Sequence, residues 1–171
     1  MIKKKFFYTV FTFILAIYLC IPAFAGFAEY LDEIEVISKR TISVSQRQKL
    51  IAFYNSGQVL ALNNHQLTQR HGQFTQTLKT SLRTKWKEKN PGKKWLRYKK
   101  TVNCSVNGET ICRHKKWPYD MHHIIPQSHN GPHKWWNVFP LTLNQHNEVH
   151  NVGSECSTLF PNSVGARKAN Y

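Results

Sequence analysis

Asp120-Met121-His122-His123-Ile124-Ile125-Pro126 opens a stretch that closes on His146-Asn147-Glu148-Val149-His150, with Asn137 between them. Its local signals give an order of elements. Trp117 to Ile125 reads as a short strand that Pro126 ends, since a proline cannot donate to a strand ladder. Gln127 to Pro132 is turn-rich, and Val138-Phe139 reads as a second short strand. Thr142 or Asn144 can cap a closing helix that carries His146 and His150, with Gly153 where a C-terminal cap belongs. Histidines four apart on a helix share a face, roughly 5–6 Å apart at Cβ, so two imidazoles can grip one cation. His122 or His123 can supply a third from the preceding strand. Successive strand residues point to opposite faces, so both can serve one site only if the strand ends or twists there. Three neutral imidazoles suit zinc or nickel better than magnesium, which prefers oxygen ligands. One further ring can take a proton from water, and the Asn137 amide can brace the loop.

An isolated HxxxH usually binds nothing. A His-His pair, an intervening asparagine and a helical HxxxH in this order are far more specific. The stretch resembles the HNH endonucleases of the ββα-metal fold. The branch that includes the colicin DNases and related secreted bacterial nuclease toxins looks closest, and the likeness covers roughly the last 75 residues at most. Position by position, the resemblance implies that His122, His146 and His150 hold the metal and that His123 is the general base. Asn137 would fix the loop, and Asp120 would have a weaker supporting role. It also implies 5′-phosphate and 3′-hydroxyl products. The expected cofactor is one divalent ion, drawn from zinc, nickel, manganese and magnesium. The methionine before the pair is not among the family's usual signatures, which bears on the subfamily rather than on the chemistry.

The chain upstream reads as helical. Phe27, Tyr30, Leu31, Ile34 and Ile37 have helical spacing, and Ser45 with Gln48 resembles a capping box ahead of Leu50, Ile51, Phe53 and Tyr54. Asn55-Ser56-Gly57 is its candidate end. Phe74, Leu78, Leu82 and Trp86 form an apolar stripe flanked by basic residues, stopped by Asn90-Pro91-Gly92. Basic residues then continue among Trp95 and Tyr98. Such a mixture suits a nucleic-acid track, with cations meeting phosphates and rings stacking on bases; a solvated surface with two anchoring aromatics fits as well. Lys85, Lys87, Lys93, Lys94, Arg97, Lys99 and Lys100 are the candidate contacts. The expected architecture is α+β, with residues 26–95 a mainly helical basic region and 96–171 a ββα-metal nuclease core.

The first 25 residues read as a signal peptide. Lys3, Lys4 and Lys5 precede an apolar run from Phe6 to Ile21, and Ala23-Phe24-Ala25 is a small-x-small cleavage site. That run is short of the ~20 residues a spanning helix needs, so no stable membrane span is expected after cleavage. The expected location is the periplasm or beyond the cell. Four acidic residues, Glu29, Asp32, Glu33 and Glu35, cluster just after the cleavage site. Residues 36–171 therefore hold 21 basic against 5 acidic groups, a balance that points to a polyanionic partner. Cys104 and Cys112 flank Asn107-Gly108, a hairpin signal within Thr101 to Cys112. A three-residue loop would set the two cysteines opposite each other; a two-residue loop would put them on opposite faces.

These observations favour an exported metal-dependent endonuclease that cleaves DNA with low sequence specificity, in the manner of a toxin or effector. RNase activity, a non-catalytic metal-stabilised nucleic-acid-binding module and a cationic membrane-active protein are the alternatives. DNA is the expected partner, RNA the second, and an immunity or inhibitor protein a further candidate. His65, His71 and His114 read as surface groups. His129 and His133 lie in the loop beside the site and are candidates for substrate contact. Of Trp135 and Trp136, one is expected to pack beneath that loop and the other could stack on a base.

Overall fold

The computed structural model describes residues 26–106, 109–151 and 153–161, so the signal-peptide reading of 1–25 lies outside the described residues. The fold is α+β with a helical N-terminal region. A helix over 26–38 (α1) is followed by Val44–Tyr54 (α2), Asn64–Gln73 (α3) and Gln76–Lys89 (α4). Strands Val102–Val106 (β1) and Glu109–Arg113 (β2) form one antiparallel pair, and Asp120–His123 (β3) and Val138–Leu141 (β4) form another. Helices Leu143–Val149 (α5) and Glu155–Leu159 (α6) complete the order.

Helices α2 to α6 each begin on a side chain that satisfies a backbone N–H left without an intrahelical partner. Ser43 caps α2 by accepting from Gln46 N. The cap is thus two residues ahead of Ser45, which lies in the first turn. Gln46 faces inward instead, and its amide donates to Trp136 O and Val138 O, both at 3.0 Å. Thr75 caps α4, whose Leu82 and Trp86 are buried, and Asn90 ends it at the expected stop. Phe74 is the residue that ends α3, so the stripe inside α4 starts at Leu78. Helix α3 has no buried residue, and its sequence accordingly carries no apolar stripe. A reciprocal Asn63–Gln66 capping box starts it. Leu62 N donates to Ser128 O at 2.7 Å, and an Arg70–Asn130 hydrogen bond ties its last turn to the same loop.

The β1–β2 register pairs Val106 with Glu109, which leaves a two-residue connection. Cys104 then faces Ile111, and Cys112 faces Asn103. The two cysteines are thus not register partners, and Cys112 is a free thiol. The β3–β4 pair aligns His122 with Phe139 and His123 with Val138. Strand β3 begins only at Asp120; Trp117 to Tyr119 run beside residues 96–98 through backbone hydrogen bonds. Gly153 does not cap α5, which ends on His150; it has φ +88° in the turn before α6, whose cap is Ser154.

One apolar cluster joins Phe27, Tyr30, Leu31 and Ile34 of α1 with Leu50, Leu82, Trp86, Ile124, Phe139, Val149 and Phe160. Phe27 stacks on Tyr54 with ring centroids 4.1 Å apart, and Phe160 meets Tyr30 edge-on. The strand pair and α5 are therefore seated on helices from the start and end of the described chain. Among the described residues no helix is long and apolar enough to cross a membrane.

Candidate metal centre and its cleft

Thr142 and Gln145 form a capping box that starts α5, while Leu143 and Val149 turn inward. His146 and His150 then share the face toward β3, with ring centroids 4.9 Å apart. His122, fully buried, completes the group at 5.2 Å from His146 and 5.0 Å from His150. One ligating atom of each lies within 4.8 Å of the others. Tetrahedral zinc with Zn–N bonds of ~2.0–2.1 Å sets its nitrogens about 3.4 Å apart, a spacing inside that limit. The three imidazoles could hold a metal ion, and an all-nitrogen donor set matches zinc or nickel better than magnesium.

Strand alternation sends His123 the other way. Its Nε2 lies 3.0 Å from His133 Nδ1, and His133 Nε2 lies 3.2 Å from the Arg70 carbonyl. A carbonyl only accepts, so the His133 proton is on Nε2. His133 Nδ1 then accepts from His123 Nε2–H, and His123 Nδ1 keeps a lone pair. The Gln127 amide is 3.5 Å from that Nδ1. Phe74 stacks on His133 at 5.1 Å and meets His123 edge-on at 4.7 Å, which fixes both rings. Burial pushes His123 well below the ordinary histidine range, with the nearby His133, Arg70, His71 and Lys79 adding to the effect. Burial also lowers His133. Both rings are therefore neutral at neutral pH, as the hydrogen-bond directions require.

Although His122 and His123 point apart, His123, His146 and His150 all line one cleft of about 950 Å³. Asp120 lines it too, and its Oδ1 accepts from Arg113 Nε at 2.7 Å. Burial raises the Asp120 carboxyl, and Arg113, Arg83 and Lys79 partly offset this. Asn137, fully buried, clamps the loop: its amide donates to Ile125 O at 3.0 Å and Pro132 O at 3.1 Å, and its Oδ1 accepts from Ile125 N at 2.8 Å. Gly131 packs so closely there that a Cβ would collide with the Ile125 carbonyl.

The cations that line the cleft are Lys79, Arg83 and Arg113. None of Lys85, Lys87, Lys93, Lys94, Arg97, Lys99 and Lys100 does. Lys93 donates to Thr41 O, and Arg97 to Lys116 O. Trp95 and Tyr98 are buried, with Trp95 Nε1 donating to Tyr119 O and the Tyr98 hydroxyl accepting from Leu143 N. These two rings anchor the fold and cannot stack on bases; the half-exposed Trp117 lines the cleft instead. Lys79 and Arg83 sit one turn apart beside the buried Leu82–Trp86 row, the signal by which the sequence could have singled them out. Of the lone histidines, His71 lines the cleft, and His129 is buried against Phe160. Trp135 and Trp136 both pack against the core.

Burial also lowers His71 and His129, so four histidines resist protonation in the folded state. The unfolded chain takes up those protons below its ordinary pKa of about 6.5. By linkage, this contribution is complete above pH ~6.5 and is lost as pH falls through the depressed folded values. Thermal melts of chelator-treated protein should show Tm falling steadily from pH 7 to 5.5; a Tm that holds or rises contradicts the burial of neutral rings.

No family model matches the chain, and no solved structure matches it. Toxin YxiD of Bacillus subtilis (strain 168) is 31% identical over 134 residues, which make up 77% of this chain and 23% of that protein. The chain thus spans about a quarter of that relative's length. The similarity relates it to a toxin.

Proposed function

We propose that this chain, related over most of its length to a toxin, is an exported metal-dependent endonuclease of the HNH class that hydrolyses DNA with little sequence preference. The observation that carries this reading is a group of three imidazoles able to share an ion, two of which line the same cleft as a fourth, neutral ring whose Nδ1 is unprotonated. A purely structural metal site has no use for that fourth ring. The toxin relative and the signal-like first 25 residues support export to the periplasm or beyond.

His123 Nδ1 would accept a proton from the attacking water, and its Nε2–H···His133···Arg70 carbonyl chain holds the ring in the tautomer this needs. Its low pKa keeps the acceptor unprotonated at working pH. Asn137 fixes the loop that carries His133. Lys79, Arg83 and Arg113 place positive charge where phosphates enter. An ion held by His122, His146 and His150 would supply Lewis-acid stabilisation of charge developing on phosphoryl oxygens.

Purified protein incubated with supercoiled plasmid should nick and then degrade it. EDTA should stop the reaction, and readdition of zinc, nickel, manganese or magnesium in turn should identify the supporting ion. Tight binding without cleavage under every metal would make it a binding module. Cleavage of RNA alone would make it an RNase, and liposome leakage without either would point to membrane action.

A further inference from the structure

Two of the three candidate ligands meet side chains from outside the segment that contains them. Tyr30, on α1, lies 92 positions before His122 in the chain, and its hydroxyl is 3.1 Å from His122 Nε2. Cys156, on α6, places its Sγ 3.3 Å from His150 Nδ1. Both side chains are fully buried in the apolar cluster. Phenylalanine and alanine would serve packing alone at these positions, yet a hydroxyl and a thiol are present, each against a histidine.

The proton count gives these contacts a direction. The Tyr30 hydroxyl donates its one proton to Ile124 O at 2.8 Å, because a carbonyl can only accept. The hydroxyl oxygen must then accept from His122 Nε2–H, which leaves His122 Nδ1 with a lone pair. The Cys156 thiol is within hydrogen-bonding reach of the same hydroxyl, whose oxygen can accept twice. On the other side, Sγ faces His150 Nδ1. The two nitrogens of an imidazole diverge, so the nitrogen left for an ion is Nε2. A ligand histidine must present a lone pair, and the hydrogen bond at its other nitrogen sets which one it presents.

We infer that Tyr30 and Cys156 are positioning residues that select the ligating nitrogens, Nδ1 of His122 and Nε2 of His150, so that helices from both ends of the described chain preorganise the metal centre. The inference rests on the metal reading above. It also accounts for the two flanking helices, α1 and α6, closing over the strand–helix unit at this point: each delivers one hydrogen-bonding partner to one ligand.

The test uses the whole chain. Long-range 1H–15N correlation of the metal-free protein should show His122 protonated on Nε2 and His150 on Nδ1. Zinc affinity, measured by competition with a chromophoric chelator, should fall about 10- to 100-fold in Tyr30→Phe and in Cys156→Ala, the range seen when a ligand's hydrogen-bonding partner is lost. Cys156→Ser keeps a group that accepts from Nδ1–H and should restore affinity to nearly that of the unaltered protein. Melting of the metal-free variants separates loss of affinity from loss of folding, and the tautomer measurement stands even if Tyr30→Phe does not fold. A His122 proton on Nδ1, or undiminished zinc binding by both Tyr30→Phe and Cys156→Ala, overturns the inference and leaves the metal reading intact. Failure of the unaltered chain to bind zinc, nickel or manganese overturns both.

Discussion

His123→Ala should lower plasmid cleavage by about 10²- to 10⁴-fold, the usual contribution of a positioned general base, while zinc binding stays within a few-fold of the unaltered protein. The separation follows from strand geometry. His123 points away from His122 toward Phe74 and His133, so deleting its ring removes the proton acceptor without touching a ligand. His150→Ala should behave differently and lose zinc and activity together. His133→Ala is expected to fall between the unaltered protein and His123→Ala, since the base would remain but lose the acceptor that sets its tautomer. Single-turnover cleavage together with chelator competition measures both quantities on the same samples. If His123→Ala loses zinc along with activity, the base lies elsewhere and His123 belongs to the ligand set.

Asn137→Ala should be the most destabilising single change in the loop. Three hydrogen bonds from one fully buried amide disappear, and the polar atoms they leave behind include the Ile125 N–H and carbonyl in the core. Each buried group left unsatisfied costs about 1–3 kcal/mol, so a loss of at least ~3 kcal/mol is expected, with Tm lowered by roughly 10 °C for a domain of this size. Asn137→Asp should not rescue the protein: it keeps the acceptor for Ile125 N but turns an oxygen toward the carbonyls of Ile125 and Pro132. Activity should fall as well, because the same loop carries His133. Urea unfolding monitored by tryptophan fluorescence gives the number; a change under about 0.5 kcal/mol, the range of ordinary surface substitutions, would show that the loop holds without its clamp.

Much of the local architecture was legible because it depends on short-range chemistry. Thr142 capped α5, Asn90-Pro91-Gly92 stopped α4, and the β1–β2 hairpin formed around a turn signal, whereas the first strand of the site stops at His123, short of Pro126. Helices α3 and α6 carry little local signal, for opposite reasons. The first buries nothing and so has no periodic stripe, and the second is one short turn-and-a-half whose cap, Ser154, follows a glycine that by sequence reads as a helix end. Sequence alone does not separate Ser43 from Ser45 as the cap, because Gln46 and Gln48 each place a glutamine three residues after a serine. Only the core contact of Gln46 separates the two.

The chemical content of the centre was written in the chain: which side chains can bind a cation, and that His146 and His150 share a face, both follow from residue type and helical spacing. Which member of the His122–His123 pair turns toward them, which group each ring meets by hydrogen bond, and which cations meet the cleft were decided only by tertiary structure. The partners that settle those points, Tyr30, Arg70 and Lys79, lie tens of residues away along the chain. A local pattern records what a backbone segment can present, whereas the direction of a hydrogen bond depends on which distant group packing brings opposite it.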